Sequence, residues 1–377
     1  MLDELAELCG ISPEDVCFLR SAGARSAEAV HSLLVFEPTS GPPRRRRGAR
    51  LKRPDLLQER LCPVYLKFVS EHRTPRRLDV FGATPPEVNQ KASLSTNKLA
   101  NAPGTPRHAD LRSRTAVEWM PHFWRLQIRE QGEARGTCVA HAAAACCEFL
   151  LYAAGRDPDP DLSPQFLQWA IKKNTADPKP DSDGTKLVFA SEALKKIGIC
   201  NENTLRYATV PQVPLFGPDP PQAAFIEARD RKFDTPIGRY VDKPTSGAAN
   251  TLYEWLSEGP VAIAVNIFVS PEDVALTAPL TNWTDPSVEV TGAVLEKPDG
   301  WVESPGGGHC VCVVGFQPSL TEPSGGYFIF RNSWGGDWAT SHHRFPEARI
   351  PFAGYGAISA TYIENHCWEL LQLQLPR

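Results

Sequence analysis

No stretch of this 377-residue chain comes near the roughly 20 consecutive apolar residues that cross a bilayer. The longest apolar-rich segment, residues 139–154, is interrupted by His141 and Glu148, so no membrane span and no membrane partner are expected. The first sixteen residues, MLDELAELCGISPEDV, are acidic and amphipathic and lack the basic start and apolar stretch of a secretory signal. A cytoplasmic location is the expectation that follows. Charge of one sign is missing too: the formal net charge is −4, which gives no overall attraction to nucleic acid or to an anionic surface. None of the ten cysteines shows the CxxC spacing of a zinc or redox site, and no cofactor is implied. Cys146 and Cys147 are adjacent, and Cys310 and Cys312 sit two apart in an apolar run, as buried reduced thiols do.

What is present is the balance of a folded protein, with 42% hydrophobic and 22% charged residues. Three regions are expected. Residues 1–37 read as a small helical interaction module able to meet a protein partner: Ser12-Pro13-Glu14-Asp15 and Ser26 each supply the cap or acidic first turn of a helix start. Residues 38–107 read as a basic and proline-rich linker with a short helix. Seven of the ten positions from Arg44 to Arg53 are basic, enough for a weak contact with nucleic acid or a processing site, although a solvated linker needs no more. The compact remainder, 108–377, is helical first and β-rich later, which implies an α+β protein of two packed halves. Helices are expected over 138–154, 164–173, 191–197 and 252–257, and strands over 260–268, 309–317, 327–332 and 356–363.

Three segments carry chemistry. In Gln131-Gly-Glu-Ala-Arg-Gly-Thr-Cys138 a cysteine opens a long helix after a glycine-bearing loop. A thiol there faces unpaired backbone amides and the positive end of the helix dipole, which favour a nucleophilic thiolate; a small buried residue at a helix start would look the same. In Gly306-Gly-Gly-His309-Cys-Val-Cys-Val-Val a histidine heads an apolar strand, where the backbone fixes it as a base would need, though a structural histidine fits as well. In Phe328-Ile-Phe-Arg-Asn332-Ser-Trp334-Gly a strand ends on an amide beside an indole. An asparagine oxygen can select an imidazole tautomer, and an indole can shield that hydrogen bond. His141 is a rival base, one helical turn along from Cys138, but its own helix aims it poorly at that sulfur.

Together these segments resemble the papain family of cysteine peptidases in order, local sequence and context. The resemblance covers roughly residues 108–366 and implies a two-lobed fold, a helical lobe bearing the nucleophile helix and a β-barrel-like lobe bearing the histidine and asparagine. It implies Cys138 as nucleophile, His309 as base, Asn332 as its orienting partner, Gln131 as side-chain donor to the oxyanion, and Trp334 as cover for the Asn332–His309 bond. The implied activity is peptide-bond hydrolysis through a thioester on a polypeptide substrate. A deconjugating hydrolase or acyl transferase, or a silent peptide-binding protein, could carry the same residues. There are departures. Gln131 stands seven residues before Cys138 where six is usual, and the half-cystine and tryptophan that flank the nucleophile are replaced by Arg135 or Gly136 and by Val139. The paired glycines that bind substrate backbone have only Asp183-Gly184-Thr185 as a candidate, and residues 210–246 and 317–326 read as surface insertions.

Overall fold

The computed structural model describes residue 83 and residues 111–119, 128–242, 246–276, 279–340 and 353–376. The expected helical module over 1–37 and all of the linker except Ala83 lie outside them. The order is β1 (Val117–Glu118), α1 (Cys138–Ala153), α2 (Pro164–Asn174), α3 (Leu187–Lys196), α4 (Gln222–Arg229), β2 (Tyr240–Asp242) and α5 (Ala248–Leu256). Then come β3 (Val261–Val265), β4 (Phe268–Val269), α6 (Pro286–Thr291), β5 (Val302–Glu303), β6 (His309–Pro318), β7 (Gly326–Arg331), β8 (Tyr355–Ser359), α7 (Ala360–His366) and β9 (Cys367–Leu371). Apart from β1, four helices precede the first strand, and the remaining helices lie among the strands.

A seven-stranded antiparallel sheet runs β2-β9-β3-β6-β7-β8, with β1 on β6. Both of its faces are covered, so its central strands β3, β6 and β7 are largely apolar on both sides rather than alternating. One face carries small residues, Ala262, Ala264, Cys310, Cys312 and Ala357, in one core with the alanine-rich α1, and this lets helix and sheet approach closely. The other face, with Val261, Ile263, Val311, Val313, Phe328 and Phe330, closes around α5 and α7. In β6 a bulge between Val313 and Gly315 inserts Val314, so Val314 faces α1 while Phe316, two residues on, faces the second core. By the same alternation His309 lies on the face of Val311 and Val313, towards the aromatic interior.

Several expectations need correcting. The third helix begins at Leu187, not residue 191. The span 356–363 is not one strand: Ser359 Oγ accepts from the Tyr362 N–H, capping α7, and the chain changes from strand to helix there. Within 317–326, Glu322 is buried and accepts from the Gly326 and Thr361 N–H groups, while Leu320 is exposed. Within 210–246, α4 is anchored through buried Ala224 and Ala228, although Val213 and Ile237 are exposed. Glu148, which breaks the apolar run of α1, is buried between Arg129 (2.8 Å) and Arg331 (3.0 Å). Among the described residues no helix is long and apolar enough to cross a membrane.

One of the strands that the sequence pattern does not reveal, β9, contains the buried Glu369. Burial pushes its carboxyl up from 4.5 to about 7, against the Tyr240 hydroxyl and Leu187 N–H that bond its oxygens. The folded chain therefore holds a proton that the unfolded chain has released, and stability falls as pH rises through that window, by on the order of 3 kcal/mol. Glu369→Gln is expected to flatten the drop in melting temperature between about pH 5 and pH 8. Parallel melting curves for the two proteins across that range would exclude Glu369 as the cause.

Candidate active site

Cys138 is the first residue of α1 and is buried in the core that also holds Ala83 and Cys310. No side chain caps this helix and its first turn holds no acid, so its leading amides stay directed at the sulfur's end of the helix. The Thr137 hydroxyl, at the cap position, is engaged instead by the Tyr207 hydroxyl at 2.6 Å. Other thiols near α1 are hard to ionise: burial pushes Cys147 and Cys310 well up, and the Cys312 thiol 3.5 Å away does the same to Cys146.

His309 opens β6, and its Nε2 meets the Asn332 Oδ1 at 2.8 Å. The same oxygen accepts from the Ser333 N–H at 2.9 Å, which fixes the carboxamide's orientation because the amino end could not accept from either donor. The Trp334 ring lies 4.7 Å from the imidazole at 30°, and Trp283 meets it edge-on at 5.0 Å and 76°. The hydrogen bond is thus held in an aromatic, water-poor surround, with the other nitrogen, Nδ1, on the opposite edge of the ring. Trp283 was not legible as a site residue; it comes from the chain between β4 and α6, which has no motif.

Gln131 joins this cluster through both backbone and side chain. Its N–H donates to the Ser333 carbonyl (2.8 Å), its Oε1 accepts from Ser333 Oγ (2.6 Å), and its Nε2 donates to the Arg135 carbonyl (2.8 Å). The extra residue between Gln131 and Cys138 is taken up in this turn, which the Tyr207 hydroxyl also braces by donating to the Gln131 carbonyl at 2.9 Å. Sequence reading missed Tyr207, which no local pattern singles out.

Arg135, fully buried, stands near where a half-cystine is usual and makes a two-pronged ion pair with Asp183 at 2.7 and 3.3 Å. It also donates to the Ala208 carbonyl, and Asp183 accepts from the Gly136 N–H. An ionic clamp here ties the nucleophile loop to the segment before α3. Arg135→Ala is expected to cost about 3–5 kcal/mol by leaving Asp183 buried and unpaired. The companion Arg135→Ala/Asp183→Ala protein should recover part of that loss in a denaturant melt, and additive losses would show that the two residues act separately.

Gly184 follows Asp183; its carbonyl accepts from Lys172 Nζ at 2.7 Å. Its neighbour Thr185 and Gly308, just before His309, flank one residue of the chain. Between them lies Ala83, paired antiparallel with Gly308 through two hydrogen bonds (3.1 and 2.9 Å) and bridged in parallel to Thr185. A Cβ on Gly308 would sit 1.8 Å from the Trp368 ring and 2.1 Å from the Val265 carbonyl oxygen, so the packing on that side leaves room only for glycine. His141, by contrast, sits within α1, one turn along from Cys138, with its Nδ1 on the Thr137 carbonyl at 3.0 Å.

No protein-family model and no curated protein matches the chain. Among solved structures, xylellain, a cysteine protease from Xylella fastidiosa, superposes with a TM-score of 0.53 at 18% identity, covering 81% of this chain and 99% of that one. The bromelain protease from Ananas comosus gives 0.44 at 15% identity, over 72% of this chain and 100% of that one. Digestive procathepsin L 3 of Tenebrio molitor gives 0.44 at 16%, over 98% and 97%. The chain has the two-lobed α+β fold of the papain-like cysteine proteases.

Proposed function

We propose that this protein is a cysteine-type peptidase that hydrolyses peptide bonds through Cys138, His309 and Asn332. The observation that carries this reading is the shielded 2.8 Å bond between His309 Nε2 and Asn332 Oδ1. With Asn332 accepting the Nε2 hydrogen, Nδ1 is the nitrogen that exchanges a proton with the thiol. The Cys138 thiolate attacks the scissile carbonyl, and the oxyanion is held by the Cys138 backbone N–H and by the Gln131 amide, whose other hydrogen serves Arg135. His309 then protonates the leaving amine through Nδ1, and afterwards takes a proton from the water that resolves the thioester. Trp334 keeps solvent from the His309–Asn332 bond.

A polypeptide substrate would add as an extended strand beside Gly308 and the Gly184–Thr185 segment, where main-chain pairing binds any sequence. Ala83 already makes contacts of that kind, which supports a regulatory role for residues 1–107. Intact-mass labelling with an epoxide inhibitor of papain-like enzymes tests the reading. One adduct is expected on the wild type and none on Cys138→Ala or His309→Ala; no adduct on folded wild type from which residues 1–107 have been removed would sink it.

A further inference from the structure

Beside Asn332 is a small pocket with about 10 Å³ of space for a water centre, room for a single molecule. Arg129, His141, Glu148, Arg331 and Asn332 are among its lining residues. Three of them carry a buried polar atom with no hydrogen-bond partner: Arg129 Nε, His141 Nε2 and Asn332 Nδ2. Buried polar groups go unpaired rarely, because each costs about 1–3 kcal/mol, so three around one cavity need a common explanation.

The hydrogen-bonding roles of all three atoms follow from their surroundings. The Thr137 carbonyl can only accept, so His141 Nδ1 carries the ring proton and Nε2 presents a lone pair. Asn332 Oδ1 is occupied by His309 Nε2 and the Ser333 N–H, so the carboxamide atom left to be satisfied is Nδ2, a donor. Arg129 Nε is also a donor. Two donors and one acceptor cannot be satisfied by an anion, which the His141 lone pair would repel, nor by a cation, which Arg129 and Arg331 would repel. A water molecule accepts from the two N–H groups and donates to the lone pair, within the two to four bonds that buried waters make. Burial holds the His141 pKa down at about 3, so the ring keeps its lone pair at any pH where the protein works.

We propose that one buried water links Asn332 Nδ2 to His141 Nε2 and Arg129 Nε, and that His141, on the nucleophile's own helix, is thereby a positioning residue for the Asn332–His309 pair. The water ties α1, which carries Cys138, to the turn that orients the base. His141 touches neither substrate nor the reacting atoms; it acts by holding the Asn332 carboxamide against rotation. The kinetic part of this inference rests on the peptidase reading, and the water itself does not.

A crystal structure at a resolution that shows ordered solvent is the direct test. A water within about 2.7–3.2 Å of both Asn332 Nδ2 and His141 Nε2 is expected. Absence of that water in well-defined density overturns the inference, whether or not the protein cleaves peptides. In turnover, His141→Leu should lower kcat about tenfold with KM unchanged, and His141→Gln, whose side-chain oxygen can accept from the same water, should recover most of it. Equal losses in the two variants, or none in His141→Leu, would overturn the positioning role. Wild type that hydrolyses no peptide would count against the peptidase reading, and the crystallographic water would then decide the inference alone.

Discussion

Replacement of Cys138 by alanine is expected to abolish peptide hydrolysis while leaving the fold intact, a loss of roughly 10⁶-fold, the scale seen when a nucleophile is removed from a site whose residues act as a unit. The fold should survive because Cys138 lies among small residues of α1 and the sheet face, where the exchange removes one sulfur and leaves a side chain of similar size. The distinction from the other thiols is physical. Cys147 lies along the same helix, buried, with its pKa raised by desolvation and by Glu148 beside it, so Cys147→Ala should leave turnover unchanged. Comparing kcat for the two alanine variants, with melting temperatures as a check on folding, separates a reactive thiol from a merely buried one. Residual turnover in Cys138→Ala within tenfold of wild type would move the chemistry to another residue.

The parts of this site that were legible in the sequence are those whose placement is a local matter. A cysteine after Gly136-Thr137 at the start of an apolar helix, a histidine heading an apolar strand and an asparagine ending one are set by capping, periodicity and turn signals within a few residues. The second-layer contacts are not local. Arg135 meets Asp183 across 48 positions, Tyr207 reaches Gln131 across 76, and neither partner stands in a periodic pattern. The resemblance marked Arg135 or Gly136 as the replacement for a half-cystine, without indicating that Arg135 makes an ion pair there. Among the elements, β6 and β7 were visible because apolar runs of six to ten residues between glycines leave few alternatives. β9 was hidden by Glu369, whose carboxylate argues against a buried strand until the raised proton affinity and the Tyr240 hydroxyl are taken into account. The Ser359 cap inside 356–363 was available to sequence reading, and the β-branched and aromatic residues around it masked the change from strand to helix.

Removal of residues 1–107 is expected to raise activity on peptide substrates by roughly 10²-fold. Ala83 exchanges both main-chain hydrogen bonds with Gly308, next to His309, and faces Thr185 on the other side, so a substrate strand and the chain around residue 83 compete for the same two neighbours. The competition is unequal, because a tethered segment acts at an effective concentration on the order of millimolar, and a contact of even ~10 µM intrinsic strength would then suppress free substrate by about two orders of magnitude. The pairing directions add a constraint. Thr185 runs parallel to residue 83 and Gly308 antiparallel to it, and each fixes the sense in which the chain passes between them. Antiparallel exchange at Gly308 requires a main-chain N–H and carbonyl at residue 83, but little of its side chain, so Ala83→Gly should change inhibition little. Ala83→Pro, which removes the N–H donated to the Gly308 carbonyl, should release it. The measurement is KM and kcat for the full chain, Ala83→Pro and a chain beginning at His108. A fall in KM at constant kcat is the signature of competition for this place, whereas equal KM values in all three would mean that Ala83 lies there without obstructing substrate.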